Sequence, residues 1–427
     1  MTSPAKPAGY RALPRVAGWS YLATAILGRP PLAMVPLAIL TLATSATGSL
    51  AIGGFAAAAA AVGEAAGAPL AGRLADRFGQ LIVLLVGVAL HLAAMLSFGV
   101  AAGVATDAAT IALAAVAGAT LPQLGPLSRA RWLAMAGPED LPAAFAFEGV
   151  ADEVAFIIGP ALVGLTATFV SPYAALLLSV ALVGVFVTAF AVHPSHRLVP
   201  RAHSGAAGPG GPGGGTQPRV APGRTALVAC CFTGMLSMGL FFGGSQTGLT
   251  AFAARIGIPD TGALLYAIMA VGSAVTTLSM VRLPAHIPLT SRWIVAAVGL
   301  AAGSLLMLSA GGLGDIVFAA LVAGAFQGPV LLTMFSVAGS LAESGRAGGL
   351  LTFVGSGNVL GVALGTAIAG PLAERCGPAG GFSVVTAAAA LAVVTGLLAA
   401  SSPFARRHGI PPAGAESDSW PRTGRGA

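Results

Sequence analysis

Long apolar runs separated by short polar segments make up most of the chain. A helix needs about 20 residues to cross a bilayer core. Cut at that length, the runs give twelve expected spans, at residues 18–45, 49–72, 81–103, 107–127, 139–168, 172–192, 225–254, 260–281, 291–312, 315–341, 348–373 and 378–401. The runs are long and unbroken, without the short alternating segments of a membrane β-barrel, so the spans are expected to be helices. Arg29, Pro30 and Pro31 interrupt the first run. A helix starting at Pro31 would have only 17 residues up to Thr47, so the span is taken to include Trp19 to Gly28.

Composition supports that pattern. Of 427 residues, 56% are hydrophobic and only 8% are charged, against about 25% charged in soluble proteins. Such a chain cannot clothe a water-facing surface, which excludes most soluble enzyme classes. With 60 glycines and 6% aromatics, it suits close packing between membrane helices. The net charge of +7 implies no nucleic-acid partner, because the basic residues lie in short clusters between apolar runs. Placed on a twelve-span topology, 18 of the 21 Lys and Arg fall on the side that carries both termini, Arg129 and Arg131 among them. The positive-inside rule then puts both termini in the cytoplasm of a multi-pass plasma-membrane protein. Cys230, Cys231 and Cys376 have neither metal-binding nor disulfide spacing, and no cleavable signal is evident.

Between spans six and seven, residues 194–224 are rich in Gly and Pro, with Gly208–Gly215 as their core. They read as a disordered cytoplasmic linker, and residues 403–427 as a disordered tail. This divides the chain into an N-terminal segment (1–17), a six-helix bundle (18–193), the linker, a second bundle (225–402) and the tail. The two bundles repeat. Phe147, Gly149, Asp152, Gly159 and Gly164 return as Phe353, Gly355, Asn358, Gly365 and Gly370 at a constant offset of 206. Val62-Gly63-Glu64-Ala65 is echoed by Val271-Gly272-Ser273-Ala274, and Gly125-Pro126 by Gly328-Pro329. Parallel six-helix repeats place a binding site near the midplane between the halves, which is transporter architecture.

After span two comes Gly72-Arg73-Leu74-Ala75-Asp76-Arg77-Phe78-Gly79-Gln80. Gly72 and Gly79 permit a tight turn, Asp76 suits a helix N-terminus and Arg77 offers a fork of donors. The segment resembles the G-x-L-A-D-R-x-G-R/K signature of the major facilitator superfamily, with Gly72, Leu74, Ala75, Asp76, Arg77 and Gly79 matching and Gln80 replacing the usual basic residue. With twelve spans and a half repeat, the resemblance covers essentially the whole chain. It implies an all-α membrane fold of two six-helix bundles, and a latch formed by Asp76 and Arg77 that holds the halves together on the cytoplasmic side. Gly159-Pro160 and Gly164 in span five resemble, incompletely, the signature of the superfamily's exporters. Drug/proton exchangers of the superfamily commonly carry an Arg in span four, and the span as read here has none before Arg129.

Arg29, Glu64, Glu148, Asp152 and Glu153 fall inside expected spans. A charge at the bilayer centre costs about 2.5–3.5 kcal/mol, so each needs a partner, a wet cavity or a proton. Arg29 lies ten residues after Trp19, which places it near mid-membrane or, with a shorter first span, at the interface where it can snorkel; in the first case Glu64, at similar inferred depth, is its expected partner. Glu148 is placed toward the cytoplasmic rim. Asp152 is the first expectation for a proton carrier and Glu153 the second, with Glu64 and Glu148 behind them. Arg29, Ser245, Gln246 and Asn358 are expected to face the substrate cavity. His91 in span three is expected to be peripheral.

The leading reading is therefore a secondary transporter, not an enzyme, that exports small hydrophobic or amphipathic compounds by proton exchange. It needs no cofactor or metal beyond a proton gradient, and works as a monomer in the bilayer. Uptake or facilitated passage of a sugar or other metabolite is the alternative. An enzyme acting on lipid-linked substrates would need a sizeable external loop, and every loop expected outside is short.

Overall fold

The computed structural model describes residues 10–201, 223–258, 262–284, 287–343 and 346–402. Twelve helical units are long and apolar enough to cross a membrane, and no strand occurs among the described residues. The stretch Gly208–Gly215, most of the expected linker, the expected tail and Asp260 lie outside these residues.

In the first half, a turn at Tyr10–Ala12 and a short helix α1 (Leu13–Ala17) lead into span one, which is two helices, α2 (Trp19–Leu27) and α3 (Arg29–Thr47). Spans two and three are α4 (Leu50–Phe78) and α5 (Gln80–Ala101). Span four is again double, α6 (Asp107–Ala119) followed by α7 (Leu124–Met135). Span five is α8 (Leu141–Phe169), and span six joins α9 (Pro172–Leu182) to α10 (Thr188–Val192) through a π-turn at Val183–Val187. The second half is more regular: α11 (Arg224–Arg255), α12 (Gly262–Ser279), α13 (Leu289–Ser309), α14 (Leu313–Ser340), α15 (Ala347–Cys376) and α16 (Pro378–Ser401) form spans seven to twelve.

The halves share one packing plan. Span two packs on four and span one on five; in the second half, eight packs on ten and seven on eleven. Helices α8 and α15 begin at Leu141 and Ala347, 206 residues apart, the offset of the sequence repeat. Glycine makes these pairings close. A Cβ on Gly118 would run into the backbone of Ala60, and one on Gly361 into that of Leu236, which is how small residues let membrane helices approach.

Three features differ from expectation. Span four does not stop near residue 127. It breaks after Ala119, because Pro122 cannot donate the next backbone hydrogen bond, and resumes as α7. Arg129 and Arg131 therefore lie inside the span, 3% and 0% exposed, and not in a cytoplasmic loop. Span one does begin at Trp19 but bends at Gly28, whose missing side chain makes room for Leu124 just past the span-four break and for the Phe186 carbonyl in the span-six π-turn. Three irregular backbones thus meet at one level. Last, the expected disordered linker opens with an ordered turn, Pro194–Leu198, in which Ser195 is buried.

The two halves touch along pseudo-symmetric seams, span two against eleven and span five against eight. Among the described residues, every hydrogen bond that crosses between the halves lies between the terminus-bearing face and mid-depth. The acceptors and donors are Tyr10 with Leu278, Asp76 with Gly348 and Gly349, and Glu153 with Ser273 and Gln327. Toward the other end, Gly54, Gly164 and Gly370 have nothing within 4 Å of where a Cβ would stand. The hydrogen bonds that join the halves are thus confined to the terminus-bearing side and mid-depth.

Candidate functional site

The breaks in spans one and four bring a set of charges together. Arg29 heads α3, and its position just after the Gly28 bend turns its side chain toward span five. Its Nη2 donates to Glu148 Oε2 in an ion pair, its Nε lies 2.7 Å from Asp152 Oδ1, and its Nη1 caps the Ala25 carbonyl at 2.7 Å. Glu148 and Asp152 are one helical turn apart on α8 and so share a face. Glu148 is fully buried, and its second oxygen accepts from Ser128 Oγ and Trp132 Nε1, both at 2.8 Å. Tyr21 closes the back of the cluster, 2.7 Å from Ser128 Oγ. Arg129 on α7 donates to Asp152 Oδ2 at 2.6 Å, and its guanidinium lies 3.9 Å from the ring centre of Phe335 in the other half.

Two arginines thus face two carboxylates, and the cluster is neutral as a unit. A buried pair is tolerated when its members are fully bonded, but removing one member strands the other. The side chains of Arg29 and Arg129 are 4% exposed and that of Glu148 is 0%, whereas Asp152 is 34% exposed. The open side of the cluster is a carboxylate.

These contacts correct several expectations. Arg29 pairs with Glu148 and Asp152, not with Glu64. Glu64 is half-buried on span two, with the Gln123 side chain at the span-four break as its polar neighbour. Glu148 does not meet water at a rim; its side chain is 0% exposed, the most buried of the cluster. Asp152 is held between two guanidiniums, whereas its neighbour Glu153 points about 100° away around the helix and crosses the seam. There Glu153 Oε1 accepts from Ser273 Oγ at 2.6 Å and Gln327 Nε2 at 3.2 Å, and no cation pairs with it among the described residues. Glu153 is 7% exposed and lies about 18 Å into its span, counted from Leu141.

Of the two residues expected to form the latch, Asp76 makes hydrogen bonds to the opposite half and Arg77 makes none. Asp76 sits at the end of α4, where its two oxygens accept from the backbone N–H groups of Gly348 at 2.9 Å and Gly349 at 2.6 Å. Those are the first donors of α15, so the carboxylate caps a helix of the opposite half. Gly72, one turn earlier, lets α4 touch Thr352 and Gly348 directly. Arg77 does not cross the seam; it is exposed and lies over the Phe78 ring at 5.1 Å, and Leu74 is exposed at 36%. Gly79 adopts φ +92°, a turn that a side chain would strain. Gln80, where the signature has a basic residue, accepts from Arg131 Nε at 2.8 Å. The positive charge is present, delivered from span four.

Gly159, beside Pro160 in α8, packs against Pro30 and Ala33 of span one, while Gly164 meets nothing within 4 Å, so only the first of the two glycines serves a close contact. Ser245 is buried with its hydroxyl unpartnered, Gln246 is exposed and Asn358 is half-buried with an unpartnered amide nitrogen. No contact joins these three to the charged cluster among the described residues. His91 is buried on span three, its Nδ1 2.9 Å from the Ala117 carbonyl, as a tie within the first half.

Sequence reasoning missed Arg129, Ser128, Trp132, Gln123, Gln327 and Phe335. The two arginines ended span four too early. The absence of any helix breaker between Pro126 and Gly137 was the signal that the helix runs on.

Comparison with known proteins agrees with the architecture. The profile of the Major Facilitator Superfamily matches residues 21–366. No curated protein sequence matches. Among solved structures, the chain is similar to the human organic anion transporter MFSD10 (TETRAN), at 19% identity and TM-score 0.68 over 93% of this chain and 100% of that one. It is similar to a bacterial homologue of the iron transporter ferroportin in its outward-facing state, at 16% identity and TM-score 0.68 over 90% and 98% of the two chains. The proton:xylose symporter XylE follows the same fold at 15% identity and TM-score 0.61 over 92% and 96%. With twelve spans in two repeated bundles, a matching profile over most of its length and transporters as structural neighbours, this chain belongs to the major facilitator superfamily and is a multi-pass membrane transporter.

Proposed function

We propose that the protein exports small hydrophobic or amphipathic compounds in exchange for protons, by alternating access across the plasma membrane, with both termini in the cytoplasm. In that orientation the side on which the halves are hydrogen-bonded to each other is cytoplasmic, an arrangement that suits an outward-facing state. The observation that carries the proton reading is Glu153. It is a carboxyl at mid-depth on the seam, met only by neutral donors from the opposite half. As an anion it bears the cost of a buried, unpaired charge, which a proton cancels. Rocking the halves apart at the cytoplasmic face would remove Ser273 and Gln327 and admit water, so its proton affinity changes with the access state.

This reverses the order expected from sequence. Asp152 has two guanidiniums within 2.7 Å, and its negative charge is what neutralises them. Its role in this proposal is to hold the cluster together and to present a carboxylate to the cavity. That polarity suits neutral or positively charged amphiphiles better than organic anions, although one structural neighbour is an organic anion transporter. A second neighbour is a proton symporter, so the fold is compatible with proton coupling.

The test is purified protein in proteoliposomes under an imposed pH gradient, screened with cationic and neutral hydrophobic compounds. Wild type should accumulate substrate against its gradient. Glu153→Gln should lose that accumulation yet retain exchange of substrate down its own gradient. Undiminished pH-driven accumulation in Glu153→Gln would overturn the proton assignment.

A further inference from the structure

At the terminus-bearing face, a cavity of about 420 Å³ opens between the halves beside the Asp76 cap. Its volume lies within the usual range of small-ligand sites. Four arginines line it, Arg73 and Arg77 from the end of span two, Arg224 from the start of span seven and Arg346 from the residue before span eleven. Glu343 bridges Arg224 at 3.1 Å and Arg346 at 3.3 Å. Asp76 is already used by two backbone donors. Among the described residues, Arg73 and Arg77 have no acidic partner, so the cavity carries an excess of positive charge. One wall is apolar, formed by Leu350 and Phe353.

We propose that this cavity binds a phosphate-bearing anion, with a phospholipid headgroup or a free phosphate compound as the two sources of that chemistry. Guanidinium forks match phosphate oxygens in pairs, and basic pockets between membrane helices at a cytoplasmic face suit anionic headgroups. The apolar wall gives a lipid a place for the start of its chains. The consequence follows from which half supplies each arginine. Arg73 and Arg77 belong to the first half, and Arg224 and Arg346 to the second. An anion held by both pairs is bound only while this face is closed, so it favours the closed-face state by its binding free energy. The site regulates access and takes no part in substrate binding. It rests on the transporter fold and is independent of proton coupling.

The experiment reads how often the face opens. Thr277 is buried on the seam beside Gly149, so Thr277→Cys, in a chain whose Cys230, Cys231 and Cys376 are replaced by Ser, reacts with a thiol reagent only when the seam parts. The labelling rate is measured in phosphatidylcholine nanodiscs, in the same discs containing phosphatidylglycerol, and in phosphatidylcholine discs with added inorganic pyrophosphate. Binding should slow labelling about fivefold or more, the lower end of usual coupling between sites. Slowing by phosphatidylglycerol alone identifies a lipid site, by pyrophosphate alone a soluble anion, and by both a general phosphate site. Adding Arg73→Gln and Arg346→Gln should remove the slowing, and Arg73→Lys with Arg346→Lys should restore part of it. No slowing by either anion, or equal slowing in the Gln variant, would overturn the proposal.

Discussion

The first half of the molecule is broken and charged; the second is continuous and nearly neutral within the membrane. Spans one and four are each interrupted, at Gly28 and at residues 120–123, and span six carries a π-turn, whereas their counterparts α11, α14 and α16 run unbroken. Span four breaks at Pro122, but the matching stretch before Gly328-Pro329 has no proline. The irregular backbone and the charges occur together for a physical reason. A break frees backbone groups that must be satisfied in a medium without water, and polar side chains placed there satisfy them. Arg29 bonds the Ala25 carbonyl, Gln123 the Leu121 carbonyl and Arg131 the Phe190 carbonyl.

The repeat also shows how one polar site became two. Glu64 in span two corresponds to Ser273 in span eight. In the first half, Glu64 is met by Gln123 from span four. In the second, Ser273 and Gln327 from span ten form a similar pair of donors, but the carboxylate they hold is Glu153, reaching in from the first half. One carboxylate stays inside a rigid bundle, and the other joins two bundles that must separate.

The largest expected effect tests the charged half against the neutral one. Arg29→Met strands the buried Glu148 carboxylate, leaving Asp152 with Arg129 alone, and should cost about 3–5 kcal/mol, seen as lost yield and a lower thermal midpoint in detergent. Asn358→Leu, at the counterpart of Asp152, should cost far less. Equal losses would mean that the cluster is no more integral than the neutral position that mirrors it.

Next in size is the latch, which only the first half supplies. Asp76→Asn loses one of the two charge-assisted hydrogen bonds, because an amide nitrogen cannot accept, and weakens the other; at about 1.5–3 kcal/mol for one bond to a charged group, it should raise the open-face population roughly tenfold to a hundredfold or more. Labelling of Thr277→Cys reads this directly. In phosphatidylcholine discs without added anion, Arg77→Ala should leave labelling nearly unchanged, because its side chain makes no hydrogen bond across the seam. A large effect of Arg77→Ala would restore it to the latch.

Making span four resemble span ten is a finer probe. Pro122→Ala should change stability by less than about 1 kcal/mol, but reduce transport by moving Gln123 away from Glu64. Full transport in this variant would show the break to be inert.

The smallest expected effect lies just outside span six. Burial and the nearby Arg131 hold the His193 ring below its ordinary proton affinity. The fold therefore favours the neutral ring, and as pH falls below about 6.5 the unfolded chain takes up the proton first, so stability declines. At higher pH the residue adds no pH dependence. His193→Gln should flatten the slope of thermal stability between pH 6.5 and lower values, and an unchanged slope would exclude the residue as its source.

Much of the architecture was legible because hydrophobic length and basic asymmetry are properties of the chain itself. Twelve spans, the repeat offset of 206 and the Asp76 turn required only counting. The site was less legible. Arg29, Glu148, Asp152 and Glu153 could be picked out as charges in apolar runs, but their partners could not. Arg129 was hidden because two arginines in four residues resemble the end of a span, and only the surrounding helices make their burial affordable.

The sequence alone determined that this chain crosses a membrane twelve times in two related halves, since about 20 consecutive apolar residues have no other stable place in water or lipid. It also determined which residues bear an intramembrane charge to be neutralised. Which charges neutralise one another was decided by tertiary structure. Residues 148, 152 and 153 share one helix, but its orientation turns two of them inward onto Arg29 and Arg129 and the third outward onto the opposite half. Rotating that helix by about 100°, one residue's turn, would carry Glu153 to the face that Asp152 now occupies and turn Asp152 away from both arginines. No local propensity sets that angle; it is fixed by the fit of Gly159 against Pro30 and Ala33 and of Gly149 against Thr277.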